Sequence, residues 1–132
     1  MKGVSGKLTR GLCTGSRLKC VDNTGAKEVE IIMVPKYHGT HRRYPQAGIG
    51  DIITITVKKG TPQMRKQMFP AVIVQQRRPW RRPDGLIVQF ESNAAVIVTP
   101  EGELKGSEIK GAVAREAAER WARIAAKAGT IV

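Results

Sequence analysis

The apolar positions of this chain fall into short runs that are rich in β-branched residues and bounded by Gly, Pro or Asn. The clearest run alternates strictly, with Ile53, Ile55 and Val57 on one face and polar side chains on the other. Such alternation predicts a half-buried β-strand. The predicted strands are Arg17 to Val21, Lys27 to Val34, Asp51 to Lys58, Ala71 to Gln76, Leu86 to Phe90 and Ala94 to Thr99. Five or six short strands favour a small closed β-barrel over a sandwich, because closure removes exposed strand edges.

The segments between the predicted strands differ in character. Asp22 to Gly25 is typical of a tight hairpin turn, because Asp and Asn cap such turns and Gly accepts a positive φ. Lys36 to Gly50 and Lys59 to Pro70 are polar or basic and contain both Gly and Pro. We expect these two segments to project from the barrel as loops or ribbons, which is where binding residues are commonly found.

Near the C-terminus the pattern changes from alternation to helical spacing. Val113, Ala117, Trp121, Ile124 and Ala128 lie three or four positions apart, which predicts one amphipathic helix or two short ones. We expect this apolar face to pack on the barrel, with a partner surface as the alternative. On the polar face, the spacing predicts two ion pairs, Glu116 with Arg120 and Glu119 with Arg123.

Length and composition limit the organisation of the protein. A chain of 132 residues supports one ordinary core, so we expect a single domain 1–132, with the barrel at about 8–106 and the helical region at about 111–128. The N-terminus lacks the apolar stretch of a secretory signal, and no apolar run reaches the ~18 to 20 residues of a membrane span. We therefore expect a cytoplasmic protein without a membrane partner. We also expect Cys13 and Cys20 to be reduced and partly buried.

Charge changes this picture from a fold to a candidate function. The chain has 23 Lys and Arg against 11 Asp and Glu, a formal net charge of +12. Between Lys36 and Arg82 there are 11 basic residues and one acid, Asp51, so this block carries +10 of the total. A block so poor in acids favours neutralisation of nucleic-acid phosphates over an ordinary solvated surface. The residues predicted to bind RNA are Arg42, Arg43, Lys58, Lys59, Arg65, Lys66, Arg77, Arg78, Arg81 and Arg82.

The arginine-rich segment around Trp80 has two interpretations. Pro83-Asp84-Gly85 is a turn former, but turn geometry does not explain the arginines on its N-terminal side. Guanidinium groups suit phosphates and stack on exposed bases. Trp80 itself is equally consistent with stacking on a base and with anchoring the loop to its own barrel.

Two histidines suggest catalytic or metal chemistry, which we consider and set aside. His38 and His41 could serve a nuclease as proton donor and acceptor, or could bind a metal. Further ligands are absent nearby in the sequence, and Asp51 is the nearest acid. The sequence also contains no Walker-type loop or Rossmann glycine motif. We therefore predict no catalytic residue, metal or cofactor.

Several ordered blocks resemble the large-subunit ribosomal protein fourteen family, in its archaeal and eukaryotic-type form. The resemblance extends from about Gly11 to Val132. Its most specific part comprises, in order, Ala71, Val72-Ile73-Val74, Asp84-Gly85, Phe90, Asn93 and Val96-Ile97. Other matching blocks are Asp22-Asn23-Thr24-Gly25-Ala26-Lys27, His41-Arg42-Arg43-Tyr44, Lys58-Lys59-Gly60-Thr61-Pro62, Arg81-Arg82-Pro83-Asp84-Gly85 and Val113-Ala114-Arg115-Glu116. The chain departs from the family at Ala112 and Ala122, where relatives commonly have proline, so the helix start and break stay open.

The resemblance implies a five-stranded barrel with a projecting β-ribbon and small C-terminal helices. It implies a structural constituent of the large ribosomal subunit, bound to large-subunit rRNA and bridging to small-subunit rRNA at the subunit interface. Ribosomal protein three and the twenty-four-e type protein are the implied neighbours. The C-terminal region would lie where anti-association factors such as initiation factor six dock.

Two other functions compete with this hypothesis. One is a free-standing binder of single-stranded nucleic acid, a class that usually displays several aromatic side chains on a strand face; this chain has only two Phe, two Tyr and two Trp. The other is the paired-histidine nuclease, which substitution of His38 and His41 in a cleavage assay would test. Our preferred mechanism is structural: a rigid barrel fixes Lys and Arg side chains so that they neutralise phosphates of folded rRNA.

Overall fold

A computed structural model describes residues 8–35, 37, 39 and 42–132. The strands and helices are β1 Leu12–Cys13, β2 Arg17–Cys20, β3 Ala26–Met33, β4 Gln46–Ala47, β5 Ile52–Gly60, β6 Met68–Gln75, β7 Trp80–Arg81, β8 Ile87–Val88, β9 Ala94–Ile97, β10 Ile109–Val113, α1 Arg115–Arg120, α2 Ala122–Lys127 and β11 Ala128–Ile131. The protein is therefore mainly β, with two short C-terminal helices, as the sequence pattern predicts.

Five strands form a closed barrel in the order β2-β3-β5-β6-β9. Four of the neighbouring pairs are antiparallel, and the barrel closes through a parallel pair between β2 and β9, where Lys19 lies opposite Ala94. Closure pairs each of these five strands on both sides and so removes the exposed edges of an open sheet. The prediction of a small closed barrel is confirmed.

The barrel interior is built by the alternation seen in the sequence. Ile53, Ile55 and Val57 on β5 are buried, whereas the side chains between them are partly exposed. On β6 the alternation is lost, because all four residues from Ala71 to Val74 are buried. The C-terminal segment covers this strand from outside: the Ala114 backbone N–H donates to the Val74 carbonyl at 3.0 Å. A strand buried on both faces becomes a continuous apolar run.

The segment Leu86 to Phe90 is not a strand of the barrel. Only Ile87 and Val88 are extended, and they pair with Trp80 and Arg81 in a two-stranded ribbon outside it. The predicted common face of Leu86, Val88 and Phe90 is wrong, since Leu86 is 56% exposed. Two residue pairs are too few to impose alternation on the whole segment.

The C-terminal apolar face packs on the barrel, as predicted, but the helices are shorter than the spacing suggests. Val113, Ala117, Trp121 and Ile124 are all buried. Val113, however, belongs to β10, and Ala128 begins β11, which pairs with β10 in parallel. The helical run is broken at Trp121, whose φ of −123° and ψ of 98° are extended. The break therefore occurs with alanine, not proline, at position 122.

Neither ion pair predicted on the polar face of this region is found among the described residues, and three of the four side chains pair with other elements instead. Glu116 pairs with Arg82, Arg120 with Asp51, and Arg123 with Glu103. Helical spacing assumed a solvated outer face, whereas α1 is only six residues long and lies against the barrel. Tertiary partners therefore take the place of the neighbours one helical turn away.

The turn between β2 and β3 is wider than a two-residue hairpin. Lys19 pairs with Glu28, so the connection also includes the residues on either side of Asp22 to Gly25. The buried Asp22 carboxylate accepts hydrogen bonds from the Thr24 backbone N–H and hydroxyl, and from the Ile97 N–H at 2.8 Å. Asp22 thus ties the turn to the strand that closes the barrel.

Two further expectations concern cysteines and membrane spans. Cys13 and Cys20 are both free thiols, as expected, although Cys13 is exposed rather than partly buried. None of the helices in the described part of the chain is long and apolar enough to cross a lipid bilayer.

Candidate nucleic-acid interface

The predicted RNA-binding residues divide into three groups on separate elements, which we call the loop, hairpin and ribbon groups. Nine of the ten are exposed; Arg82 is buried. The loop group is Arg42 and Arg43; the hairpin group is Lys58, Lys59, Arg65 and Lys66; the ribbon group is Arg77, Arg78 and Arg81. Lys36, His38 and His41 lie outside the described residues.

The loop group is anchored at its C-terminal end. Within the predicted projection, Ala47 pairs with Leu12 in the short β1–β4 sheet, and the Gly48 N–H donates to Asp51 at 2.8 Å. Arg42 adopts a φ of +69°, in the left-handed region that non-glycine residues seldom occupy. Tyr44 beside it is 77% exposed. The loop therefore presents two guanidinium groups and one aromatic ring to solvent.

The hairpin group lies where β5 turns into β6. Lys66 has a φ of +63°, and its N–H donates to the Val57 carbonyl at 3.1 Å, which closes the turn. Met64 is buried and holds the turn against the barrel. The next two side chains, Arg65 and Lys66, are exposed to solvent. A Cβ at Gly60 would lie 2.7 Å from the Gly25 carbonyl, so the close approach of two turns requires glycine here.

Two cations of the hairpin group already have acidic neighbours. Lys59 lies 3.4 Å from Glu28, and Lys58 lies 3.7 Å from Glu30. Arg17 hydrogen-bonds Glu28, and this contact lowers the pKa of the Glu28 carboxyl, with a smaller contribution from Lys59. Exposed ion pairs of this kind are weak. Lys58 and Lys59 can therefore exchange their acidic neighbours for a phosphate at little cost.

A surface groove brings the hairpin and ribbon groups together. Lys59, near the end of β5, and Arg77, just after β6, both line it. Three further cations line the same groove, namely Arg17, Lys19 and Lys27, together with Leu18, Glu28, Glu91, Ser92 and Asn93. These three lie outside the block from Lys36 to Arg82, so a search for charge density missed them. Alternation around the buried Leu18 could have found Arg17 and Lys19, since both must point away from the core.

Side-chain amides fix the start of the ribbon group. The buried Gln76 amide donates to the carbonyls of Thr9 and Arg78, at 2.8 and 2.9 Å. The Arg77 N–H donates to the Asn93 side chain at 2.8 Å. Because these bonds satisfy the backbone around both arginines, the guanidinium groups extend from a fixed base.

Trp80 anchors the ribbon to its own protein, which decides between its two interpretations. The indole is 1% exposed, stacks on Phe90 with ring centroids 5.9 Å apart, and donates from Nε1 to the Glu116 carboxylate at 3.0 Å. Its ring is therefore not available to stack on a base.

Arg82 has a structural position that the prediction of a phosphate contact did not anticipate. Its Nε donates to Glu116 at 2.6 Å and its Nη2 to the Val132 carbonyl at 2.7 Å. The two charged side chains are 6% and 7% exposed. Since the guanidinium is committed to these internal acceptors, we remove Arg82 from the candidate interface.

The fold and this surface place the protein in the class of small, strongly basic β-barrel proteins. Within the described residues, no group of three or more His, Cys, Asp or Glu side chains could hold a metal ion. The family model described as "Ribosomal protein L14p/L23e" matches residues 11–132. The chain therefore belongs to the ribosomal protein L14p/L23e family, as the resemblance in the sequence indicated.

Individual relatives support the same assignment over the whole chain. A protein of Thermoplasma acidophilum is 60% identical over 132 residues, covering 100% of both chains, and one of Thermoplasma volcanium is 59% identical over the same length. A Methanococcus vannielii protein is 60% identical over 121 residues, which is 92% of each chain. All three are named "Large ribosomal subunit protein uL14". This chain is accordingly a structural ribosomal protein of the cytoplasm and not an enzyme.

Proposed function

We propose that this structural constituent of the large ribosomal subunit binds large-subunit rRNA through the loop, hairpin and ribbon groups. The observation that carries the proposal is the exposure of nine cations on three elements held by one rigid barrel. Each group can neutralise a different phosphate segment, and the barrel fixes the distances between segments. The groove that joins Lys59 to Arg77 adds Arg17, Lys19 and Lys27 to the predicted contacts.

The positions of the aromatic side chains favour this function over free-standing binding of single strands. A stacking platform needs several exposed rings. Of the six aromatic residues, all of them within the described chain, Tyr44 alone is exposed; both tryptophans are buried. Binding therefore depends on phosphate contacts rather than on base stacking.

Salt dependence tests the proposal directly. Each phosphate contact contributes about 0.7 to 0.9 to the slope of log affinity against log salt. Binding of large-subunit rRNA should therefore weaken steeply with salt, and Arg81→Ala should reduce the slope by about one contact. Glu101→Ala, an exposed change away from the three groups, is the matched control. Affinity that does not depend on salt would contradict the proposal.

We further propose that the protein contributes to a bridge with small-subunit rRNA and has protein neighbours. The family resemblance suggests ribosomal protein three, the twenty-four-e type protein and, near the C-terminal region, initiation factor six. In support of a protein contact there, β11 pairs with β10 alone among the described strands, and Ile131 is 46% exposed. Cross-linking from Thr130→Cys in assembled subunits should recover one of these proteins, and recovery of rRNA alone would refute the protein contact.

For the bridge, subunits that carry Arg65→Ala should associate less tightly in a density gradient. Unchanged association of variants in all three groups would refute the bridge.

A further inference from the structure

Glu116 occupies an unusual position for an acidic residue in so basic a protein. Its carboxylate is buried on α1, where one oxygen accepts from Trp80 and the other from Arg82. Both donors belong to the ribbon, and the Arg82 guanidinium also lies 6.0 Å from the Trp80 ring centroid. A single carboxylate therefore holds the ribbon at two points against the C-terminal region.

The ribbon has little stability of its own. Its ladder consists of two residue pairs, Trp80 with Val88 and Arg81 with Ile87, closed by hydrogen bonds from the Arg82 and Gly85 N–H groups. Isolated two-stranded hairpins are marginal in water even when they are longer. The orientation of this ribbon must therefore come from side-chain contacts with the rest of the protein.

Arg81 lies between the two residues that Glu116 holds. Side chains alternate along a strand, so contacts that draw Trp80 and Arg82 inward turn Arg81 outward. The exposure pattern agrees: Trp80 and Arg82 are buried and Arg81 is exposed. The direction of the Arg81 guanidinium is thus set by the carboxylate beneath its neighbours.

We propose that Glu116 is a positioning residue for RNA binding, acting through Arg81 without contacting RNA itself. This inference rests on the proposed function, because it requires Arg81 to bind phosphate. Helix α1 and its C-cap residue are also tied to the segment that follows the loop group, through Arg120 to Asp51 at 2.8 Å and Trp121 Nε1 to the Gly50 carbonyl at 2.7 Å.

A double-mutant cycle tests the inference with large-subunit rRNA as the probe. Arg81→Ala should weaken binding about tenfold, the effect of one charge-assisted contact. Glu116→Gln should weaken binding by a similar factor. The double variant should also bind only about tenfold more weakly than the unaltered protein, not about a hundredfold more weakly. Glu119→Gln, on the exposed side of the same helix, should bind as the unaltered protein does. Losses that multiply to about a hundredfold would overturn the inference.

A second variant guards against a trivial loss of folding. Glu116→Leu combined with Arg82→Met replaces the buried pair with apolar side chains, a change that proteins often tolerate. We expect this protein to stay folded, to bind rRNA about tenfold more weakly, and to show faster hydrogen exchange of the backbone amides at positions 82 and 85 than the unaltered protein. A folded double variant with unaltered affinity would overturn the inference. Unaltered affinity of Arg81→Ala alone would instead refute the proposed role of Arg81, so the two failures are distinguishable.

Discussion

The sharpest prediction concerns two adjacent arginines, Arg81 and Arg82. The sequence pattern assigns both to the RNA-binding surface, whereas in the structure Arg81 is exposed and Arg82 is buried. Arg81→Ala removes an exposed side chain, whereas Arg82→Ala removes the partner of a buried carboxylate. We expect the first change to affect rRNA binding and leave stability intact. We expect the second to lower stability first, and to affect binding through the fold.

The loss of stability expected for Arg82→Ala follows from the hydrogen-bonding groups that lose their partner. Without the guanidinium, Glu116 keeps only the Trp80 N–H as a partner, and the Val132 carbonyl loses its 2.7 Å donor. Breaking a buried ion pair in this way costs about 3 to 5 kcal/mol of the free energy of unfolding. For 132 residues the unfolding entropy is about 0.28 kcal/mol/K, so the melting temperature should fall by about 11 to 18 °C.

Thermal unfolding by circular dichroism, with rRNA binding measured well below the melting temperature, separates the two variants. Arg81→Ala should melt within about 2 °C of the unaltered protein, as surface substitutions usually do. An Arg82→Ala protein that melts at the unaltered temperature would show that the pair with Glu116 contributes nothing. If Arg82→Ala instead reduced the salt slope while stability stayed constant, Arg82 would belong to the interface after all.

Four further predictions concern Lys66, Cys20 and Gly60. Lys66→Gly should raise the free energy of unfolding by up to about 1 kcal/mol, because glycine accepts the positive φ, yet should weaken rRNA binding; lower stability would refute the strain. Burial, reinforced by the Asp22 charge, raises the pKa of Cys20 to about 12, so iodoacetamide at pH 8 should modify the exposed Cys13 and spare Cys20. The same shift makes the contribution of Cys20 to stability complete below about pH 9 and lost as the pH rises towards 12, which Cys20→Ser should abolish in alkaline melts. Gly60→Ala should lower the melting temperature by several degrees, since its Cβ would collide with the Gly25 carbonyl, whereas Gly85→Ala meets no atom within 4 Å and tests positive φ alone.

The parts of the fold that follow from local pattern were predictable. Ile53, Ile55 and Val57 alternate because β5 has one face in the core, and periodicity reports that directly. Leu86 to Phe90 contains a similar alternation but pairs with only two residues, and Leu86 remains exposed although Val88 and Phe90 are partly buried. Pattern shows which side chains could be buried; pairing partners decide whether they are.

The sequence predicted which residue types form the candidate interface, but not every individual residue that belongs to it. Counting charge found the three groups but could not separate Arg81 from Arg82. Arg82 is buried and Arg81 exposed because of a carboxylate far along the chain, that of Glu116. The spacing of Trp80 and Arg82, two positions apart, was the available signal, since it places both on one side of a strand. Arg17 and Lys19 were missed for the opposite reason: they are sparse in sequence and become neighbours of Arg77 only when the barrel closes.

The way the barrel closes also has a consequence for synthesis. β2 is made early, yet its partner β9 emerges only after most of the chain, and Glu116 follows later still. A nascent chain therefore carries the basic residues of the ribbon before the carboxylate that holds the ribbon has been made. On the positioning role proposed for Glu116, Arg81 takes its final direction only after Glu116 has been made, so the proposed contact with rRNA has to wait for helix α1.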